Sequence, residues 1–213
     1  MQWVPVRKRR DRKEVFMKKI LALFLGLFLA TLSSSALANE PGDQPVLSGG
    51  DLWEFRTNTR NSLSSTTNRL DGEYTVTYRG GNIEVTQDDT AIGGNAAEEL
   101  QRMILPDERQ YLKFPLAVGN KWTGKYYHDR RSGWRSMDYA VTGIEDIAID
   151  GKILHTFKIE GKGTVSVPSG SYDQTRTIWY SLETKSAVKF LYDSAVGSVG
   201  AKVEIELVKY MAK

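Results

Sequence analysis

The sequence FPLAVGNKWTGKYYHDRRSGWRSMDYAVTGIEDI, from Phe114 to Ile147, determines the fold that we expect. Apolar and polar residues alternate from Trp122 to Tyr126 and again from Tyr139 onwards, and a polar segment containing a Gly separates the two runs. Alternation with a period of two is typical of a β-strand with one buried face, and a Gly-containing turn between two such runs indicates a hairpin. The stretch therefore predicts two antiparallel strands.

A weaker copy of this pattern lies earlier in the chain. Gly119-Asn120-Lys121-Trp122 resembles Gly50-Asp51-Leu52-Trp53, which lies 122 − 53 = 69 positions earlier. Tyr139-Ala140-Val141-Thr142 resembles Tyr74-Thr75-Val76-Thr77, which lies 139 − 74 = 65 positions earlier. A nearly constant offset is what a duplicated β unit with one shortened loop would leave. The chain is therefore predicted to contain an internal repeat.

We expect residues 39–213 to form a single β domain built of two related units, at about 47–94 and 114–213. A short helix is predicted between the units at 95–105, where Asn95 is a candidate N-cap and apolar residues recur at helical spacing. This helix either connects the units along a sheet edge or forms a lid over the opening of a ligand-binding cavity.

The remainder of the second unit continues as strand patterns separated by turn residues. The last pattern is the clearest, because Val203, Ile205 and Leu207 alternate with charged residues. An antiparallel sheet with one solvated face produces such alternation. The predicted fold class is all-β, an antiparallel meander that forms a strongly curved sheet, a half-barrel or a closed barrel.

Residues 1–38 are predicted to be a leader. Residues 17–38 combine two Lys, an apolar run and an A-x-A sequence, which is typical of a secretory signal peptide cleaved after Ala38. Residues 1–16 are strongly basic, and we interpret them as a misassigned start with translation beginning at Met17. A twin-arginine signal is the alternative interpretation. Either way, the leader predicts a periplasmic or secreted protein.

Removing the leader reverses the net charge. The whole chain has 29 Lys and Arg against 26 Asp and Glu, and residues 1–38 contain eight of the former and two of the latter. The mature chain therefore has 29 − 8 = 21 basic and 26 − 2 = 24 acidic residues, a net charge of −3. A mildly acidic protein is a poor candidate for binding nucleic acid by charge alone, so no nucleic-acid partner is expected.

The residues that usually carry catalysis are sparse. The chain has no Cys and two His, so we expect no disulfide, no lipid-anchoring Cys, no metal site and no cofactor. No Gly-x-Ser-x-Gly sequence and no phosphate-binding Gly motif occurs. We therefore predict that the protein is not an enzyme. An envelope hydrolase would need convergent carboxylates that no pattern indicates.

The Trp residues of the mature chain divide into two groups. Trp53, Trp122 and Trp179 lie in strand patterns and are predicted to be in the core. Trp134 differs, because it follows Arg130-Arg131-Ser132-Gly133 at the expected hairpin tip.

The sequence around Trp134 is a candidate binding site that also includes Tyr127, Arg130, Arg131 and Arg135. An exposed Trp beside several Arg can stack on sugar rings or anchor a protein partner. The alternative is that Trp134 begins the next strand and packs under the sheet.

His155 is the other candidate site residue. It lies between Ile153 and Phe157 on a face that the alternation predicts to be apolar. Two interpretations are open: His155 is a hydrogen-bonded His of the core, or it is a polar group inside a ligand cavity.

A series of short motifs runs through the second half of the chain. They are Phe114-Pro115-Leu116, Gly119, Trp122, Tyr126, Val141, Glu145-Asp146, Gly151, Phe157-Lys158-Ile159, Trp179-Tyr180-Ser181 and Val188-Lys189-Phe190. This series resembles a family of uncharacterised bacterial exported β-domains of the TapB type. The resemblance covers about the last hundred residues and implies an exported antiparallel β-domain, but no catalytic residues. After Trp179-Tyr180-Ser181 the family usually has a Pro and a Gly, whereas this chain has Leu182-Glu183-Thr184-Lys185.

Together these patterns predict an exported, soluble binding or interaction module of the bacterial cell envelope. Its expected partner is an envelope protein or a glycan, and it is not expected to span a membrane after cleavage. The alternative is a periplasmic carrier of a hydrophobic ligand such as a lipid, held in a β cup with the 95–105 segment as its lid. A large apolar cavity would favour the carrier, whereas a filled core would favour the module.

Overall fold

The computed structural model describes residues 41–61, 71–106, 110–129, 133–167, 170–196 and 199–211. The predicted leader lies outside these ranges. Only the backbone is described at residues 60–61, 95, 126–129, 133–134, 165–167, 170, 195–196 and 199–200.

The described ranges form ten β-strands and one helix, which confirms the predicted all-β class. The strands are β1 (Leu52–Asn61), β2 (Gly72–Arg79), β3 (Asn82–Gln87), β4 (Thr90–Ala91), β5 (Lys121–Asp129), β6 (Gly133–Ile149), β7 (Lys152–Val167), β8 (Gly170–Ser181), β9 (Ser186–Val196) and β10 (Val199–Met211). The helix α1 (Asn95–Arg102) lies between β4 and β5.

All ten strands belong to one antiparallel sheet with the order β4-β3-β2-β1-β10-β9-β8-β7-β6-β5. Each half is a meander of sequence neighbours, and the pairing of β1 with β10 joins the two halves. The sheet is curled but not closed, because β4 and β5 remain at opposite edges. Of the three predicted shapes, the structure therefore has the open, curved sheet.

The hydrophobic core lies on one face of this sheet. Trp53 and Phe55 of β1 are buried, and so are Met137 and Tyr139 of β6, whereas the residues between them are exposed or half-buried. This confirms the alternation predicted for these strands. Trp122 is 7% exposed and stacks on Tyr139 with ring centroids 5.5 Å apart.

The connection between β4 and β5 packs into the same core. Leu100 of α1 is buried, as are Met103, Tyr111 and Leu116 farther along the chain. The backbone N–H of Ala187 donates a hydrogen bond of 2.6 Å to the carbonyl oxygen of Met103, which ties this connection to β9. The segment is therefore part of the core rather than a covering on a sheet edge.

The predicted N-cap of the helix is wrong by one residue. Gly94 occupies the N-cap position with a φ of 73°, and it makes no capping hydrogen bond because it has no side chain. Asn95 is the first helical residue instead. The positive φ explains the preference for Gly at this position, since other residues rarely adopt it.

The two halves begin with the same backbone arrangement. Gly50 and Gly119 have φ values of 95° and 93°, and they donate backbone hydrogen bonds of 2.9 Å to the carbonyl oxygens of Tyr78 and Val141, respectively. The donors are 119 − 50 = 69 residues apart, as predicted, but the acceptors are 141 − 78 = 63 residues apart. The two Tyr matched in sequence are 65 apart and so occupy different register positions. Duplication of whole units stays a prediction.

Two Gly in β7 allow bulky core residues of β6 to lie across it. A Cβ on Gly161 would overlap the ring of Tyr139. A Cβ on Gly163 would overlap the backbone oxygen of Ser136 and the side chain of Met137. The absence of side chains at these positions therefore brings Tyr139 and Met137 against the β7 backbone.

We expect Gly163→Ala to lower the free energy of unfolding by about 1–3 kcal/mol, because the added methyl group overlaps backbone that cannot move freely. Urea unfolding followed by circular dichroism measures this loss. Gly143→Ala is the matched control in β6, where an added Cβ meets nothing within 4 Å. Its effect should stay within about 1 kcal/mol. Equal stability of the two variants would contradict the packing described for β7.

Candidate functional site

Five strand connections lie at one end of the sheet, which we call the tip end. They join β1 to β2, β3 to β4, β5 to β6, β7 to β8 and β9 to β10, as the antiparallel pairing requires. The tip end carries the hairpin around Trp134 that the sequence singled out. Several of the described core-face residues near this end are polar, among them Gln174 and Arg176.

Arg176 is a charged residue inside the core. It is 5% exposed, and its Nη1 donates hydrogen bonds to the hydroxyl oxygen of Tyr139 at 3.1 Å and to the sulfur of Met137 at 2.6 Å. Its guanidinium lies 4.6 Å from the ring centre of Tyr111 and 5.3 Å from that of Tyr192. A planar cation is attracted to aromatic ring faces, so these two rings help to hold the charge away from water.

Four other residues have buried polar atoms without a hydrogen-bond partner among the described residues, and three of them lie near the tip end; the fourth, Ser181, lies at the opposite end of β8. Gln174 is 1% exposed and lacks a partner for both its Oε1 and its Nε2. Thr59 lacks one for its Oγ1, and Arg135 lacks one for its Nε. Leaving one buried group unsatisfied costs about 1–3 kcal/mol. We call Thr59, Arg135, Gln174 and Arg176 the polar layer.

Strand pairing places the polar layer in neighbouring rows near the tip end. Thr59 is linked through β10 and β9 to Arg176, so both lie in one row across the sheet. Gln174 lies two residues nearer the tip end on β8, in one row with Met137 of β6. Arg135 lies two residues beyond Met137, again nearer the tip end. Residues two apart on a strand share a face, so the layer faces the core.

The structure includes one predicted binding residue, Arg135, in the polar layer, where it is half-buried. Arg130 and Arg131 lie outside the described residues. Tyr127 and Trp134 pair with each other across β5 and β6, but their side chains lie outside the described set. The proposed binding role of the Trp134 hairpin therefore stays a prediction.

Both interpretations of His155 were wrong, since its side chain is 81% exposed. Its Nδ1 lies 2.5 Å from Oδ1 of Asp146 on the paired strand. The neighbours Leu154 and Thr156 are buried instead, and so is Phe157. The buried positions thus shift by one residue between Thr156 and Phe157.

The shift in β7 coincides with a change in its surroundings. β8 pairs with β7 only from Phe157 onwards, so the end of the β6–β7 hairpin extends beyond its neighbour. A register shift in β6 between Val141 and Gly143 lies opposite the same region. An extra residue in a strand exchanges the inward and outward positions of the residues that follow it. A prediction that continues the alternation through such an irregularity therefore places those residues on the wrong face.

Trp179 is also not in the core, which corrects its predicted placement. It lies half-buried on the outer face, and its Nε1 donates a 2.7 Å hydrogen bond to Oε2 of Glu145. Lys158 contacts Oε1 of Glu145 at 2.8 Å and lies 5.6 Å from the Trp179 ring centre. Farther along the outer face, Lys189 pairs with Glu206 at 2.6 Å. We call these five residues the outer ladder.

The charges of the outer ladder compensate one another. Hydrogen bonds from Lys158 and Trp179 lower the pKa of Glu145, and the bond with Glu145 raises the pKa of Lys158. Burial lowers the pKa of Lys189, but hydrogen bonds with Glu206 and Glu204 outweigh it and raise the pKa overall. Cross-strand pairs of this kind stabilise a sheet, so the outer ladder has a structural explanation.

The described residues contain neither a candidate metal-binding cluster nor a membrane-spanning helix. No group of three or more His, Asp or Glu among them lies in an arrangement that could hold a metal ion. No helix in the described ranges has the length and apolar character needed to cross a membrane. The expectations of no metal and no cofactor stay predictions.

No protein-family model matches the chain, and no curated protein matches it. The hypothetical lipoprotein YmcC from Escherichia coli is similar in structure at 14% identity and a TM-score of 0.34, covering 76% of this chain and 89% of that one. A Bacteroides fragilis protein described as exported, with a YmcC-like fold, has 9% identity and a TM-score of 0.36, covering 81% and 100%. Likenesses this weak support no inference about function, and the TapB-type resemblance stays a prediction.

The alternation of residues in β8 indicated two members of the polar layer, but the sequence analysis did not assign the faces of this strand. Ile178 and Tyr180 of β8 are buried, and Gln174 and Arg176 share their alternation. Two polar residues that continue an apolar face are unusual, because buried polar groups need partners. Assigning the two faces of β8 would have drawn attention to both residues.

We expect the stability contributed by Glu145 to depend on pH. Its pKa in the folded protein lies below the ordinary value of 4.5, so its carboxylate stabilises the fold above that pH. The contribution is lost as the pH falls through the folded-state pKa. Glu145→Gln should therefore lower the free energy of unfolding at pH 7 by less than about 1 kcal/mol, because the pair is partly exposed to solvent.

Urea unfolding of both proteins between about pH 2 and pH 7 measures the difference in the free energy of unfolding. The difference should shrink towards acid pH. Trp179→Phe is the companion variant, because it removes one of the two hydrogen bonds to Glu145. It should raise the pKa of Glu145 only part of the way towards its ordinary value of 4.5. A difference that grows towards acid pH would contradict the assignment.

Proposed function

We propose that the protein is an exported binding module of the bacterial cell envelope that takes its ligand at the tip end. The observation that carries this proposal is the polar layer, in which Gln174 is buried without a partner for its amide. Leaving a buried group of this kind unsatisfied costs stability, so a ligand that forms hydrogen bonds with it would bind favourably there. The signal-peptide pattern at 17–38 supports export.

The filled core supports a binding module over a lipid carrier. Leu100, Met103, Tyr111 and Leu116 from the β4–β5 connection are each at most 2% exposed. Tyr111 also stacks on Phe190 of β9, with ring centroids 6.0 Å apart. These side chains take up space on the core face that a carrier would leave for an acyl chain. The ligand we propose is therefore an envelope glycan or protein bound at the tip end.

Trp134→Ala should remove binding to envelope glycans while changing the melting temperature little, if Trp134 anchors the ligand. The measurement combines binding of the mature protein, purified from the periplasm, to a panel of bacterial envelope glycans with thermal unfolding. Trp53→Phe is the matched control, because Nε1 of Trp53 donates a buried 2.6 Å hydrogen bond to the carbonyl oxygen of Thr184. That control should lose stability and, while folded, keep binding.

A Trp134→Ala protein that unfolds would show that Trp134 belongs to the core, and the hairpin site would then be wrong. Unchanged glycan binding by a folded Trp134→Ala protein would also contradict the site.

Native mass spectrometry tests the binding module against the carrier. The mature protein from the periplasm should give the mass of the polypeptide alone. A denatured and refolded sample should give the same mass. An adduct of lipid mass that disappears on refolding would instead show a carrier and contradict the proposal.

A further inference from the structure

Gln174 is the least explained polar residue of the described chain. Its side chain is 1% exposed, it lies on the core face of β8, and neither polar atom of its amide has a partner. Replacing such a group with an apolar one of similar shape is often neutral or stabilising. Stability alone therefore does not explain the Gln at this position, whereas a bound group that forms hydrogen bonds with it would explain it.

Arg135 provides a charged donor on the same face. It lies two strands away from Gln174 and one row nearer the tip end, it is half-buried, and its Nε has no partner. Neighbouring strands lie about 5 Å apart, so two strands separate the backbones by about 10 Å across the sheet. Gly163, directly opposite Gln174, has no side chain, and the side chain of Met137 lies against its backbone. Arg135 is thus the outer and Gln174 the inner donor of one site.

The donors around this position favour a ligand with negatively charged oxygen atoms. A guanidinium has only donors, and a carboxamide adds two more N–H groups. Arg176, two residues from Gln174, adds a second positive charge to the same region of the core face. The hydroxyls of Thr59 and Ser194 lie on this face as well. Charged acceptors such as carboxylate and phosphate form the strongest hydrogen bonds with donors of this kind.

We propose that Arg135 and Gln174 together bind an anionic oxygen group, a carboxylate or a phosphate, of the ligand taken at the tip end. This inference rests on the proposed function and specifies the chemistry of its ligand. Arg135 makes the first contact because it is the more exposed of the two. Nε2 of Gln174 then donates hydrogen bonds to the anionic group from the interior.

The test follows the two donor groups directly by ¹⁵N-resolved NMR of the mature full-length protein. The side-chain amide signal of Gln174 is identified by its loss in Gln174→Leu, and the Nε–H signal of Arg135 by its loss in Arg135→Gln. The probes are D-glucuronate, inorganic phosphate and D-glucose, which is the neutral counterpart of glucuronate. Either anion should shift both signals with a Kd in the range of about 1 mM, and glucose should shift neither.

The pattern of shifts identifies the source of the charge. A response to glucuronate alone supports a carboxylate-bearing sugar, whereas a response to phosphate alone supports a phosphate-bearing ligand. The inference is overturned if neither anion moves the Gln174 amide signal, or if glucose moves it as far as glucuronate does.

Gln174→Leu separates a binding role from a structural one. We expect it to weaken the response of Arg135 to the anion at least tenfold and to raise the melting temperature by about 2–4 °C. Thr175→Ala is the matched control, because Thr175 is the exposed neighbour on the other face of β8 and should change neither value. A Gln174→Leu protein that is less stable and binds the anion unchanged would assign Gln174 a structural role and overturn the inference.

Failure of this inference is distinguishable from failure of the proposed function. Glycan binding that depends on Trp134, with no anion response at Gln174, overturns the inference alone. An anion response at Gln174 in a protein that binds no envelope glycan or protein supports the site and overturns the wider proposal.

Discussion

The structure depends on covering the core face of an open, curled sheet. A closed barrel fills its interior with inward side chains, but this sheet leaves β4 and β5 unpaired with each other. The chain covers the exposed interior with the connection between its halves, in which Met103 and Tyr111 are almost fully buried. The hydrogen bond from Ala187 to the carbonyl oxygen of Met103 fixes that connection to the second half. The sheet and its filling therefore stabilise each other.

Much of the fold follows from local patterns, and the exceptions follow from contacts between distant residues. Alternation predicted the strands, and the resemblance between residues 50–53 and 119–122 corresponds to the shared backbone arrangement of Gly50 and Gly119. The pairing of β1 with β10 has no local signal, because it joins residues far apart in sequence, such as Leu52 and Met211, which are 211 − 52 = 159 positions apart. Continued alternation assigned His155 to an apolar face, and this rule fails where strands become irregular or extend past their neighbours. Trp179 was predicted to be in the core because it lies in a strand pattern, which does not by itself say which face a residue occupies.

The candidate site could be predicted only in part. The Arg-rich hairpin directed attention to the tip end, and Arg135 lies in the polar layer there. Gln174 and Arg176 are more than thirty residues away in sequence and come near only through the pairing of β6, β7 and β8. Their surroundings also depend on Gly161 and Gly163, which let Tyr139 and Met137 lie across β7. The spacing of residues within a single segment of the sequence therefore could not predict this site.

The two faces of the sheet treat polar groups differently, and that difference argues for function at the tip end. On the outer face, Glu145, Lys158 and Trp179 satisfy one another, at distances of 2.7–2.8 Å. On the core face, where an unmade hydrogen bond costs most, Gln174 has no hydrogen-bond partner among the described residues. The exposed polar groups of the outer ladder are paired, and an apolar residue such as Leu at position 174 would likewise avoid an unsatisfied amide. The retained amide is therefore best explained by a group that binds there and is not part of the chain.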